Sequence, residues 1–260
     1  SVQNDLFGGA LAIEGENVLV GALWKSDDEF EQAGAAYIFD ITTGQEKRFF
    51  PEDSNHVAEF GSSVALCGNI AFVGSPNSDL SPSGAEGAVY VFDITTCVQL
   101  DKLIAPTPGV ADHFGETLAK RGGVLVVGSP GHDNNTGEAH VFDTTALQHT
   151  GTLVNLDGQP FDNFGHAVAI GGFGALIGAF NAPDASGGSG AGASYLYDPG
   201  SEEQTDEFAP SLEGDFFGTS VAVDAAPIRV SMNLAVVGAP GDDDANFGAG
   251  ATYVINAMTG

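Results

Sequence analysis

Residues 60–66 read FGSSVAL, residues 71–76 AFVGSP and residues 87–93 GAVYVFD. These three phrases recur in the same order throughout the chain. The first returns as FGGALAI from Phe7, FGETLAK from Phe114, FGHAVAI from Phe164 and FGTSVAV from Phe217, so successive Phe-Gly pairs lie 53, 54, 50 and 53 residues apart. The second returns as VLVGAL from Val18, LVVGSP from Leu125, ALIGAF from Ala175 and AVVGAP from Ala235. The third returns as GAAYIFD from Gly34, GEAHVFD from Gly137, GASYLYD from Gly192 and GATYVIN from Gly250. A fixed period of this length marks a repeat architecture.

Each phrase is short, rich in Val, Ile, Ala, Phe and Tyr, and bounded by Gly, Asp, Asn or Pro, which is the pattern of a strand. The first phrase is nearly all apolar or small, as suits a strand covered on both faces. A more charged fourth segment follows in four units: EKRFFPE from Glu46, VQLDKLIAP from Val98, LQHTGTLVN from Leu147 and EEQTDEFAP from Glu202. It suits an outer edge strand. One four-stranded meander cannot bury both of its faces, but neighbours stacked around an axis can. The fold class expected is therefore all-β, a β-propeller of five four-stranded blades within a single domain over residues 1–260. The units run approximately 1–53, 54–107, 108–157, 158–210 and 211–260, and the fifth has no outer strand. A β-solenoid is the alternative, although its rungs have shorter periods.

The Phe-Gly opening together with the VGAP and VGSP phrases resembles the FG-GAP repeats of integrin α-chain propellers, and most closely the tandem FG-GAP repeats of bacterial-type proteins. The resemblance spans essentially the whole chain. It implies the propeller fold and is weak for function, because such repeats serve adhesion, sugar binding and enzyme scaffolding alike. Many blades of that family carry a DxDxDG-type calcium loop between their first two strands. Here those turns read EGEN, CGN, KRGG, GGFG and DAAPIRVSMN, which do not offer the closely spaced oxygen ligands Ca²⁺ takes. The resemblance therefore does not carry a calcium cofactor over to these turns. Integrin-type rings have seven blades, so five units either close with a short blade, form part of a larger ring, or accept a strand from a partner.

The chain holds 35 acidic residues against 7 basic ones, a net charge of -28. Such a surface repels phosphate backbones and anionic headgroups, which excludes nucleic acid and insertion into a membrane as expected modes of binding. No run of about 18 apolar residues is present. The density of acid fits a saline or calcium-rich extracellular setting, so a secreted or cell-surface location is expected. Cys67 and Cys97 both fall in the second unit. A disulfide between them suits a secreted protein. Two free thiols are the equal alternative, because two strand spacings of ~4.8 Å separate the positions.

Candidate functional residues cluster in the polar segments between second and third strands, expected on one face of the ring, where binding tends to reside. Asp242, Asp243 and Asp244 form the best metal candidate, with Asn246 nearby. Trp24, Asp27, Asp28, Asp133, Asn134 and Asn135 are candidate ligand contacts, with Tyr37 or Phe30 able to extend a sugar-stacking platform beside Trp24. Solvated acidic turns are the plain reading of the same residues. Asp5, Asp112, Asp162 and Asp215 precede Phe-Gly pairs at a constant offset that Ala58 alone breaks, and a recurring turn-closing role is expected of them. The six histidines, at 56, 113, 132, 140, 149 and 166, show no paired spacing. No nucleophile elbow, phosphate loop or CxxC is present.

The function expected is a non-catalytic extracellular module that binds a protein or glycan through its loops. The alternatives are a structural subunit that self-assembles through its incomplete blade by strand exchange, and a polysaccharide-active enzyme on a propeller scaffold.

Overall fold

The computed structural model describes residues 5–26, 32–53, 57–80, 84–184, 187–209, 213–224, 233–243 and 249–257. Their contacts form two units, Ser1–Gly122 with Thr144–Leu147, and Gly123–Asp143 with Gln148–Gly260. Nearly every phrase identified in the sequence becomes a strand, and the sheets are antiparallel meanders in chain order.

In the first unit, β1 (Phe7–Glu14), β2 (Asn17–Ala22), β3 (Ala35–Asp40) and β4 (Glu46–Phe49) make one sheet. Strands β5 (Val64–Cys67), β6 (Ile70–Ser75), β7 (Ala88–Asp93) and β8 (Gln99–Leu103) make the next. The third repeat supplies β9 (Thr117–Arg121), β10 (Val124–Ser129), β11 (Glu138–Asp143) and β12 (Gln148–Leu153). In the second unit, β13 (Ala167–Ile170), β14 (Ala175–Ala179), β15 (Ala193–Asp198) and β16 (Glu203–Phe208) form a four-stranded sheet. Strands β17 (Ser220–Val223), β18 (Leu234–Ala239) and β19 (Ala251–Asn256) form a three-stranded one. The fifth sheet thus has three strands among the described residues, in keeping with the fourth segment absent from that repeat's sequence.

Outside the fifth repeat, the second and third phrases are largely buried on both faces. In β2 the successive residues Leu19 and Val20 are both buried, as are Phe72 and Val73 in β6 and Leu176 and Ile177 in β14. Neighbouring sheets supply the cover. One core in the first unit joins Leu19, Ile38, Phe49 and Phe60 to Val73, Tyr90 and Phe92. One in the second joins Val141, Leu153 and Phe164 to Ile177, Tyr195 and Tyr197. The first phrase departs from the uniform burial expected of it: Val64 and Leu66 are buried, while Leu11 and Ile13 in the same register are exposed. A strand of this composition is covered only where another sheet lies against it, and β5 packs on β1 from one side.

In the first, second and fourth repeats, the Asp that closes the third phrase builds the turn that follows. Asp40 Oδ1 accepts the N–H groups of Thr42 (2.8 Å) and Thr43 (3.0 Å) and the Thr42 hydroxyl (2.7 Å). These bonds, the Thr42 hydroxyl foremost, hold its carboxyl at about 2. Asp93 accepts from Thr95 and Thr96, and Asp198 from Gly200.

The disulfide considered for Cys67 and Cys97 is not formed: both are free thiols. Cys67 ends β5, with its sulfur 3.7 Å from the Thr144 hydroxyl. Cys97 follows β7, with β6 and β7 between it and β5, and packs against the core of its own unit. The strand spacing places the two beyond disulfide reach.

Candidate functional site

The third repeat breaks the pattern of the third phrase at two positions. Glu138 stands where the others have Ala35, Ala88, Ala193 and Ala251, and His140 where the others have Tyr37, Tyr90, Tyr195 and Tyr253. Residues two apart on a strand share a face, so the two changes meet. Glu138 Oε1 lies 2.9 Å from His140 Nε2 and 3.5 Å from His132 Nδ1, with His140 1% exposed. Behind them, the Thr152 hydroxyl lies 3.4 Å from His140 Nδ1 and 3.1 Å from His149 Nε2. Burial pushes the Glu138 carboxyl up, but the pairing with His140 and the charges of His140, His132 and His149 outweigh it and hold the group below its ordinary value. Burial, and then the His140 charge, lower His149.

Both shifts have the same consequence. The unfolded chain takes up protons at Glu138 and His149 at higher pH than the folded one does, so acid destabilises the fold. His149 contributes to that loss as pH falls below 6.5 and Glu138 as it falls below 4.5. Removing one partner strands a buried polar group, so Glu138→Ala alone is expected to cost about 1–3 kcal/mol. The double variant Glu138→Ala/His140→Tyr restores the residues of the other repeats and is expected to recover to within about 1 kcal/mol of the parent. Urea denaturation of the parent, Glu138→Ala, His140→Tyr and the double variant at pH 7 and pH 5 measures this; a double variant as unstable as the sum of its singles would show that the pair is not coupled. The cluster holds protons beside a hydroxyl. Among the described residues no group of three or more His, Cys, Asp or Glu side chains is arranged to hold a metal ion.

The sequence-selected loop residues divide. Trp24 is partly exposed, while Tyr37, suggested as its stacking companion, instead packs edge-on against Phe7 with the Arg48 guanidinium over its ring. Asp27, Asp28, Phe30, Asp244 and Asn246 lie outside the described residues. Asp133, Asn134 and Asn135 form a turn with left-handed φ of 44°, 58° and 64°. Its carbonyls accept from the next repeat, Asn134 from Phe161 N–H (3.1 Å) and Asn135 from Asn163 N–H (2.8 Å). Asp242 turns inward and accepts the Tyr253 hydroxyl at 2.6 Å, so it does not project beside Asp243, which is exposed.

The Asp residues before Phe-Gly are buried. Asp112 accepts Gly109 N–H (2.6 Å) and Asp162 accepts Gln159 N–H (2.8 Å), each three residues back. Asp5 lies 3.3 Å from Lys25 Nζ. Burial raises the Asp162 carboxyl against that single hydrogen bond.

Sequence reading missed an aromatic surface in the second unit. Phe161 is 62% exposed and Phe216 is also exposed; both take left-handed φ, at 77° and 55°. Residues at the same two places before other Phe-Gly pairs are left-handed as well, Val57, Glu59, Ala111 and His113 among them, so the conformation belongs to the turn of the repeat. Phe180 links Phe216 (centroids 6.3 Å apart) to the His166 ring (4.6 Å). Asn181 Nδ2 donates to the Phe161 carbonyl at 2.8 Å, and Phe216 N–H to the Gly190 carbonyl at 2.8 Å, which fixes the backbone that carries the rings. The signal lay in FDNFG and DFFG, where an aromatic residue precedes a Phe-Gly pair that already has its own buried ring.

Five antiparallel meanders, each opened by a Phe-Gly turn and most of them seated on a glycine of the preceding repeat, define a β-propeller repeat protein. The family model described as FG-GAP repeat matches residues 1–39, 43–92, 97–142, 148–197 and 211–255. The chain belongs to the FG-GAP repeat family. A comparison with curated proteins found no match. No helix among the described residues is long and apolar enough to cross a membrane.

Proposed function

We propose that this β-propeller-type binding module acts outside the cell, without catalysis, and takes a glycan on the aromatic surface around Phe161, Phe180 and Phe216. The observation that carries this reading is the exposed Phe216 ring in contact with Phe180 (6.3 Å), with Phe161 exposed on a backbone held by Asn181, the next residue after Phe180. Aromatic faces pack against the apolar face of a sugar ring, and amide and carboxylate oxygens accept its hydroxyls. Rigid aromatic anchors lose little entropy on binding, and large exposed rings supply the hot spots of recognition surfaces. The net charge of -28 favours neutral or cationic ligands over anionic ones.

A glycan array probed with the whole protein tests this. A hit is expected to weaken at least about tenfold in Phe161→Ala and in Phe216→Ala, a loss of about 1.4 kcal/mol or more, with Trp24→Ala unchanged. Release of shortened products from the bound glycan would replace the module with an enzyme. Binding unaffected by either substitution would move the site elsewhere.

A second reading, assembly by strand addition, rests on the outer edge of β19. There a cavity of about 460 Å³ is lined by Glu207, Phe208, Tyr253 and Ile255, at the place where the other repeats carry a fourth strand.

A further inference from the structure

The residue four places after the second-phrase glycine leads the chain out of its sheet and into the loop before the third strand. In two repeats it is tied to the tyrosine of the third phrase. The Ser78 hydroxyl lies 3.1 Å from the Tyr90 hydroxyl, and the Tyr253 hydroxyl donates to Asp242 Oδ2 at 2.6 Å. In the third repeat the same place holds His132, and His140 replaces the tyrosine. Glu138 makes the tie instead, with Oε1 3.5 Å from His132 Nδ1 and 2.9 Å from His140 Nε2. Glu138 and His140 are buried, so the first residue of the loop is fastened to the inside of the sheet.

The loop fastened in this way carries the backbone of Phe161. Its carbonyls at Asn134, Asn135 and Thr136 accept the N–H groups of Phe161 (3.1 Å), Asn163 (2.8 Å) and Phe164 (3.0 Å). From the other side, Asn181 Nδ2 donates to the Phe161 carbonyl. Phe161 is thus held both by its own repeat and by the loop of the repeat before it. The left-handed φ at Asn134 and Asn135 recurs at Gly84 and Ala85, so that conformation belongs to the repeat. The Glu138 tie is what is particular to this loop. Asp133 and Asn134 are exposed, and an exposed polar loop opens easily unless something anchors it.

We propose that Glu138 is a positioning residue for Phe161: through His132 it steadies the loop whose carbonyls fix the Phe161 backbone. Its consequence for binding rests on the reading of Phe161 as a glycan contact, since a ring held in place before binding loses less freedom on binding. Phe216 supplies the contrast within the same molecule. Its N–H donates to the Gly190 carbonyl at 2.8 Å, in a loop where Ala182 stands at the place of His132 and its methyl group can make no such tie.

Amide hydrogen exchange of the whole chain at pH 7, resolved to single residues, tests this. Exchange at Phe161 and Asn163 is expected to quicken at least about tenfold in Glu138→Ala and in His132→Ala, because each removes one end of a partly buried polar contact. Exchange at Phe216 is expected to stay within about twofold of the parent. Glu138→Gln keeps an acceptor oxygen at the same reach and is expected to return exchange at Phe161 to within about threefold of the parent. Circular dichroism checks that the variants fold, and His132→Ala, at a partly exposed position, decides the matter should Glu138→Ala fail to fold. Unchanged exchange in His132→Ala, or an equal rise at Phe216, overturns the proposal. The measurement needs no glycan, so it is separate from the array. Quickened exchange in a Glu138→Ala protein that still binds its array glycans undiminished upholds the positioning and removes Phe161 from the glycan site.

Discussion

Gly87→Ala is expected to destabilise the protein by about 3–5 kcal/mol, among the largest costs of any single methyl group in this chain. Two effects add. Gly87 has a φ of 87°, where an L-residue pays roughly 1–2 kcal/mol. A Cβ there would also overlap the Phe114 carbonyl and backbone nitrogen, so the two repeats must part and the Phe114 N–H to Glu86 carbonyl bond is lost. Gly68→Ala separates the two terms. Gly68 has a φ of 57° and nothing within 4 Å of its would-be Cβ, so only the backbone cost of about 1 kcal/mol remains. Urea denaturation by linear extrapolation measures both. Equal losses would mean that close approach between repeats contributes nothing.

Phe164→Ala is expected to cost about 3–5 kcal/mol, whereas Phe7→Ala, in dilute solution, costs less than about 1 kcal/mol. The two residues occupy the same place in the same phrase. Phe164 is fully buried, with its ring 5.6 Å from Tyr195 and 5.8 Å from Tyr197. Truncation there removes the transfer energy of the ring and opens a cavity between rigid sheets. Phe7 touches Tyr37 (5.4 Å) and Phe39 (6.2 Å) but faces solvent on its other side, so its removal leaves no cavity. Thermal and urea unfolding of the two variants side by side decides this. Similar losses would show that the motif residue matters for its own sheet alone.

These contrasts show where the sequence is legible. The strands at Val64, Ile70 and Ala88 could be read directly, because an apolar segment between Gly and Asp has few other ways to satisfy its backbone. Trp24 and the acidic loops attracted attention by composition, yet Asp242 is turned onto Tyr253, and composition does not say where a side chain points. Phe161 and Phe216 were passed over because each sits beside a repeat-defining Phe. The turns that carry them recur before other Phe-Gly pairs, so it is the Phe at these positions, and not the turn, that sets this surface apart.

Glu138 and His140 lie between these cases. The repeat exposes both as departures, and the strand period of two puts them on one face. The arrival of His132 from the preceding turn, and of Thr152 and His149 from β12, depends on register. Sequence by itself determined the period, the strands, the Phe-Gly seats and the glycines they require, since these follow from local pattern and from steric limits on the backbone. Only the tertiary structure decided which copies of an identical phrase are buried and which stand open, because burial belongs to the neighbour that covers a residue. Phe7 and Phe217 carry the same motif; Phe217 has Gly192 beneath it, and Phe7 is half exposed.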